Sequence, residues 1–435
     1  MKIQRAGYGL FAALITLTLL ICGTIITTVT FVNRGHSGPF EAGNSGGADG
    51  TGGTTAQAVG TGGWAGTWSA APGKAVAAPV GAYSVRNVVH TSVGGGQARV
   101  TLSNLFGTAP LHIGHATVAV AAGGADALPG TLREVLFDGQ RSIAVPVGGQ
   151  VVSDAARLPV PEDGKLLVTV HVEGPGPGLV TLHARARQTS YLAYGDRTRD
   201  TDGAAYTRRT SSWHYLTAVD VRDRAVRGTV VAIGDSLTDG AGSTPDADRR
   251  WPDRLAERLR NGRWEYGVVN QGISGNRVLS DGTGPSGLSR FERDVFDRPG
   301  TRVVVIALGI NDIIRPPRPA DPGELTAALR MLTERARARG LRVVGATLMP
   351  FEGHRRYTPA LEAVRQEVNT AIRAGAVFDA VLDFDRALRD PYAQDRLDPA
   401  YDSGDHLHPN DAGYARLAQS VDLSVLIGEG SSARL

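Results

Sequence analysis

Four short stretches carry residue types suited to nucleophilic chemistry. The first is Gly234-Asp235-Ser236-Leu237. A serine hydroxyl attacks well only when a neighbouring base takes its proton. At a strand-to-helix junction, backbone N–H groups could also stabilise an oxyanion beside it. The same serine reads equally well as a plain helix N-cap. The second stretch is Asp405-His406-Leu407-His408-Pro409. An Asp and a His separated by two residues can meet on one loop, where the carboxylate accepts the imidazole N–H, fixes its tautomer and stabilises the imidazolium. A surface loop or a His-x-His metal site are the other readings, although no third ligand cluster accompanies His406 and His408. The third, Gly309-Ile310-Asn311-Asp312, offers an amide that could face developing negative charge or cap a turn. The fourth, Asn270-Gln271-Gly272-Ile273-Ser274-Gly275-Asn276, offers glycines that by themselves read as a tight loop after a strand.

The elements around these stretches decide whether they can meet. From Arg227 onward, short apolar runs at Thr229–Ile233, Tyr266–Asn270, Arg302–Leu308, Arg342–Thr347 and Ala380–Phe384 alternate with helical stretches at Pro252–Leu259, Glu324–Arg339 and Pro359–Ala374. Continuous apolar strands joined by amphipathic helices predict a parallel sheet covered on both faces. Sites in such sheets form beyond the carboxyl ends of the strands. Three of the four stretches directly follow a predicted strand.

From Trp64 to Arg222 the pattern is different. Ala98, Val100 and Leu102 alternate with Arg99, Thr101 and Ser103, and Leu166, Val168, Val170 and Val172 alternate with Leu167, Thr169 and His171. This period of two predicts half-buried strands, and their number and spacing predict an all-β sandwich or jelly roll. Trp64, Trp68 and Trp213 could stack on sugar rings or fill the core. His112-Ile-Gly-His115 spells a nucleotide-binding signature but lacks the strand and helix that would give it meaning.

Residues 37–63 are rich in Gly, Thr, Ser and Ala and predict a flexible tether. Lys2 and Arg5 precede an uncharged stretch from Ala6 to Val32, and Arg34 follows. Its length fits a spanning helix of roughly 20 residues better than a signal-peptide core of about 7–15. The expectation is a membrane anchor over residues 1–36 with the body outside the cell; secretion after cleavage is the alternative. Cys22, the single cysteine, lies in that stretch, so the remainder can hold no disulfide or zinc–thiolate site. The net charge is +3, with no basic stripe interleaved with aromatics, which leaves nucleic acid without support as a partner.

Taken together, the four stretches resemble the blocks of the GDSL, or SGNH, hydrolase family, in family order across about Val230 to Leu426. The resemblance implies a flavodoxin-like three-layer α/β/α fold over residues 227–428 and no metal or other cofactor. It implies that Ser236, Asp405 and His408 form a catalytic triad. It also implies that the N–H groups of Ser236 and Gly275 and the amide of Asn311 form the oxyanion hole, with Gly272 the weaker choice. Trp64-Ala-Gly-Thr-Trp68 and Val100-Thr-Leu-Ser-Asn104 more loosely resemble the β-region that precedes the catalytic domain in secreted actinobacterial esterases, here residues 64–222. The expected substrate is a short acyl ester, either a small molecule or acetyl on a polysaccharide. A lipase, an O-acyltransferase, or a carbohydrate-binding protein on a retained fold are the alternatives. The sequence leaves the oligomeric state undefined.

Overall fold

The computed structural model describes residues 63–73, 76–77, 81–174, 178–315 and 320–428, all within one compact unit, Val59–Leu435. Five parallel strands form the sheet that carries the site. Their spatial order is Tyr266–Gly272, Gly228–Gly234, Thr301–Ala307, Arg342–Ala346 and Ala380–Leu382. The chain begins this sheet near one edge and reverses direction across it, so the switch point lies beside Gly228–Gly234.

Alternation along the strands explains the layers. Val230 and Ala232 face a cluster containing Trp251, Leu255, Leu259, Tyr414 and Leu417. Val231 and Ile233 face the opposite cluster, with Leu325, Leu329, Leu332, Val368 and Ile372. Both faces are covered, which is why the middles of these strands, such as Val230–Ile233 and Val303–Ile306, are apolar throughout. Helix starts follow local chemistry. Asp321 caps Pro322–Arg337 by accepting from Glu324 N–H, and Thr358 caps Pro359–Arg373 by accepting from Leu361 N–H; each helix opens on proline.

The N-terminal half packs two antiparallel sheets around one core. One contains Trp64–Ser69, Leu216–Arg222, Gly95–Ser103 and Ala156–Val160; the other is centred on Tyr83–His90, Lys165–Val172 and Leu111–Gly123. Leu166, Val168, Val170 and Val172 point into the shared core. The opposite face of that strand is buried as well. Leu167 packs with Val88 and Ala119, and Thr169 Oγ1 accepts from Arg86 Nε at 3.0 Å. The expected half-burial is therefore exceeded, because residues 121–132 and 191–206 fold over the outer face. Trp68 and Trp213 meet edge to face at 4.8 Å inside the core, both almost wholly buried, and neither can serve as a sugar platform.

The two halves are hydrogen-bonded to one another. Thr229 Oγ1 accepts from Gly66 N–H at 2.9 Å and donates to Pro299 O at 2.7 Å. Gln271 Nε2 donates to Ser69 Oγ at 2.6 Å, and Val268 N–H donates to Ser92 Oγ at 2.9 Å. Trp64–Ser69 thus covers the edge strand Tyr266–Gly272. A Cβ at Gly267 would lie 2.1 Å from Gly66 O, so glycine is what permits this approach.

The expectation of a membrane-spanning helix is corrected. Among the described residues no helix is long and apolar enough to cross a membrane. Pro322–Arg337, with 16 residues, rises only about 24 Å against a hydrocarbon core of about 30 Å and is charged on its outer face. Residues 1–36, on which the expectation falls, and the tether at residues 37–62 lie outside the described residues. The same finding corrects the membrane partner and the membrane-anchored location that were expected with that helix.

Candidate active site

The residues singled out by their chemistry converge at the carboxyl ends of the parallel strands. Ser236 opens the short helix Ser236–Asp239 straight after Gly228–Gly234, with Asp235 as N-cap accepting from Leu237 N–H. The loop Asp405–His408 brings His408 Nε2 to 2.8 Å from Ser236 Oγ, while His408 Nδ1 lies 2.6 Å from Asp405 Oδ2. A carboxylate only accepts, so the proton sits on Nδ1 and the bare Nε2 faces the serine hydroxyl. Partial burial pushes the Asp405 carboxyl up. His408 Nδ1 and the backbone N–H groups of His408 and Leu407 outweigh it and hold the carboxyl well below the usual carboxylate range. His406 turns away from this row and pairs with Asp402 at 2.7 Å.

Asn311 and Gly275 lie on the neighbouring loops. Asn311 Oδ1 accepts from Arg315 Nε at 2.7 Å, which fixes the amide so that Nδ2 points to Asp235 Oδ2 at 3.3 Å. Gly275 has φ of 80°, and a Cβ there would lie 2.8 Å from the Arg315 guanidinium. Arg315 therefore links the Gly275 loop to Asn311. Gly272 N–H is committed to Asn270 Oδ1 at 2.8 Å, whereas Gly275 N–H has no acceptor among the described residues. Burial pushes the Asp235 carboxyl up to about 6, against the hydrogen bond from Leu237 N–H.

Several supporting side chains were invisible in the sequence. Arg290 is wholly buried and donates to Gly234 O at 2.9 Å, Gln271 O at 2.7 Å and Asn276 Oδ1 at 3.0 Å, with Asp294 neutralising its charge at 2.8 Å. It ties the strand end before Ser236 to the Gly275 loop. Asp312, next to Asn311, accepts from Val278 N–H and Leu279 N–H at 2.8 and 3.0 Å. His183, from the β-rich half, places Nε2 at 2.9 Å from Asp239 Oδ1 and Nδ1 at 2.8 Å from Ala71 O. Asp239 Oδ2 in turn accepts from Ser274 N–H at 3.1 Å and Ser274 Oγ–H at 2.5 Å. Asn311 and Arg315 share the four-residue spacing of helical neighbours, which could have suggested their contact. His183 carried no such signal.

A cavity of about 300 Å³ opens beside these loops, lined by Arg185, Arg187, Asp239, Gly242 and Ser274 among others. A larger cleft of about 630 Å³ lies elsewhere between the two halves and touches none of the four motif stretches. Its acids are already partnered: Asp246 with Gln188 and Thr189, Asp248 with Lys165, and Asp253 with Arg250. The smaller cavity meets the motif stretches at Ser274.

Comparison with known proteins gives a consistent picture. Residues 232–416 match the family model of the GDSL-like Lipase/Acylhydrolase family. The chain is 32% identical over 142 residues to Esterase TesA of Pseudomonas aeruginosa, a stretch that covers 32% of this chain and 65% of that protein. A solved TesA structure aligns at 26% identity over 44% of this chain and 95% of that one, with a TM-score of 0.36. An aryl esterase of M. smegmatis aligns at 18% over 44% and 95%, with a TM-score of 0.35. The family match spans the strand end before Ser236 through the loop carrying His408, so this part of the chain is similar to the GDSL-like lipases and acylhydrolases.

Proposed function

We propose that the chain hydrolyses short-chain carboxylic esters, acetyl esters foremost and polysaccharide-borne acetyl among them, through an acyl-enzyme on Ser236. The observation that carries this reading is the continuous row Asp405–His408–Ser236, with contacts of 2.6 and 2.8 Å. His408 Nε2 takes the hydroxyl proton as Ser236 Oγ attacks the carbonyl carbon, and Asp405 stabilises the imidazolium. The oxyanion is met by the N–H groups of Ser236 and Gly275 and by Asn311 Nδ2, each such donor being worth about 3–4 kcal/mol. Collapse expels the alcohol, which takes the proton from His408. Water then attacks the acyl-enzyme with His408 again as base and releases the acid. The arginines on the wall of the adjacent cavity support a short acyl group, since a long alkyl chain would strip solvent from Arg185 and Arg187.

The test is turnover of p-nitrophenyl esters of increasing chain length and of acetylated xylan by the full chain beside Ser236→Ala. The alanine variant should lose about 10³-fold or more. Equal turnover by the two proteins would remove the serine from the mechanism, and a rate that climbs with chain length would remove the short-acyl assignment.

A further inference from the structure

The two arginines beside the nucleophile's loop come from the other half of the chain. Arg185 and Arg187 flank Ala186, which is buried and donates its N–H to Ser211 O at 2.8 Å. Both arginines have left-handed backbones, with φ of 59° and 54°. A side chain bears a cost there that glycine would not. The loop nevertheless carries two long cations, and both line the 300 Å³ cavity.

No carboxylate among the described residues pairs with either one. Arg187 donates to Ser243 O, and its Nε is buried with no acceptor. Arg185 is exposed and makes no hydrogen bond among the described residues. Asp239, the acid in the cavity wall, is already matched by His183 and Ser274. Balance of these charges leaves the cavity positive. Its location is equally specific. Asp239 and Gly242 follow Ser236, and Ser274 precedes Gly275. A Cβ on Gly242 would come within 2.4 Å of Pro409 O, next to His408. The cavity therefore borders the loops of three of the four motif stretches.

We infer that this cavity is an anion subsite, in which Arg185 and Arg187 receive a carboxylate or phosphate group borne by the ester substrate next to its scissile bond. The inference deepens the proposed ester hydrolysis and rests on it. Guanidinium forks bind both anions through paired hydrogen bonds, and the half-enclosed walls screen the contact less than open solvent would. On this view the β-rich half selects the substrate and the parallel-sheet half cleaves it.

The experiment compares kcat/KM of the full chain on 4-acetoxybenzoate, on 4-acetoxyphenyl phosphate and on the neutral 4-acetoxybenzamide. Each anionic-to-neutral ratio is then repeated with Arg185→Gln, Arg185→Glu and Arg187→Gln. The expected result is a ratio that drops about tenfold in Arg185→Gln, falls further in Arg185→Glu, and shrinks with added salt. The carboxylate and phosphate arms show which anion is preferred. Ratios unchanged by Arg185→Glu and Arg187→Gln would overturn the subsite. Calorimetric titration of Ser236→Ala with 4-acetoxybenzoate reads the same contact without turnover. Binding there that Arg185→Glu abolishes supports the subsite even if hydrolysis fails, and no binding, or binding that survives the substitution, overturns it. Absent turnover of every neutral ester would instead sink the hydrolase reading.

Discussion

Replacing His183 with leucine should uncouple the β-rich half from the loop that carries Gly275. His183 is fully enclosed and faces two acceptors, Ala71 O and Asp239 Oδ1, so both ring nitrogens carry protons. Burial pushes this imidazole down, but the charge and hydrogen bond of Asp239 outweigh it and the net direction is up. A histidine raised on folding contributes its full stability below its unfolded pKa of about 6.5 and loses it as pH rises through the folded value. Leucine would strand the Asp239 carboxylate with only Ser274 as partner. Removing one member of a buried pair costs about 3–5 kcal/mol. The loop holding Ser274 and Gly275 would relax, and a misplaced oxyanion donor costs about 10²-fold in kcat. Thermal melts from pH 5 to 9 together with kcat and KM on p-nitrophenyl acetate give the readout. His183→Leu should melt several degrees lower at pH 6, converge toward the parent at pH 9, and lose kcat while KM holds. Adding Asp239→Asn to it should restore much of the stability, because the stranded charge is gone. A variant that melts within about a degree of the parent at every pH and keeps its kcat would refute the coupling.

Three further outcomes follow from the site. Arg315→Ala frees the Asn311 amide to rotate, so kcat should fall about tenfold with KM steady, and Arg315→Lys should recover part of the loss; equal loss in both variants would mean that the bond to Asn311 Oδ1 is not what matters. Asp235, raised to about 6 on folding, binds more protons folded than unfolded between about pH 4 and 6, so its contribution to stability declines as pH rises through that window. Asp235→Asn keeps the N-cap and should stabilise by up to about 2–3 kcal/mol at pH 7.5 but not at pH 4; urea unfolding that shows the same gain at both would exclude the buried charge as its source. Asp405→Asn should reduce kcat about 10⁴-fold by allowing the wrong His408 tautomer while far-UV circular dichroism stays unchanged, and a loss under tenfold would show that Asp405 contributes little.

What the sequence disclosed depended on how local the signal was. Val230–Ile233 and Val303–Ile306 are buried on both faces and read directly as interior parallel strands. The four chemical stretches stood out because each sits within a few residues at a strand end or on one loop. Asp405 and His408 were readable as a pair for the same reason. Arg290 and His183 were not, because each reaches a partner 56 positions away, Gly234 and Asp239 respectively. Neither pairing repeats with any period, and nothing in an isolated arginine or histidine distinguishes a buried clamp from a solvated side chain. Lys165–Val172 erred in the opposite sense. Its alternation was real, but folding of chain from both before and after it over its outer face buried the polar register too.

The cover that Trp64–Ser69 places on Tyr266–Gly272 has a consequence for how the chain must be made. That strand pairs along its length with Leu216–Arg222 and hydrogen-bonds to groups as distant as Thr229 and Gln271. At about 5–20 residues per second, roughly seven to thirty seconds of synthesis separate it from the strand it pairs with. During that interval it is an open edge without its ladder strand, held by the bonds of Thr67 to Ser92 and Val93. The two halves therefore cannot be finished in turn during translation. The earliest described strand closes the structure only after Tyr266–Gly272 has emerged, and nascent chains paused before that point are where misassembly should concentrate.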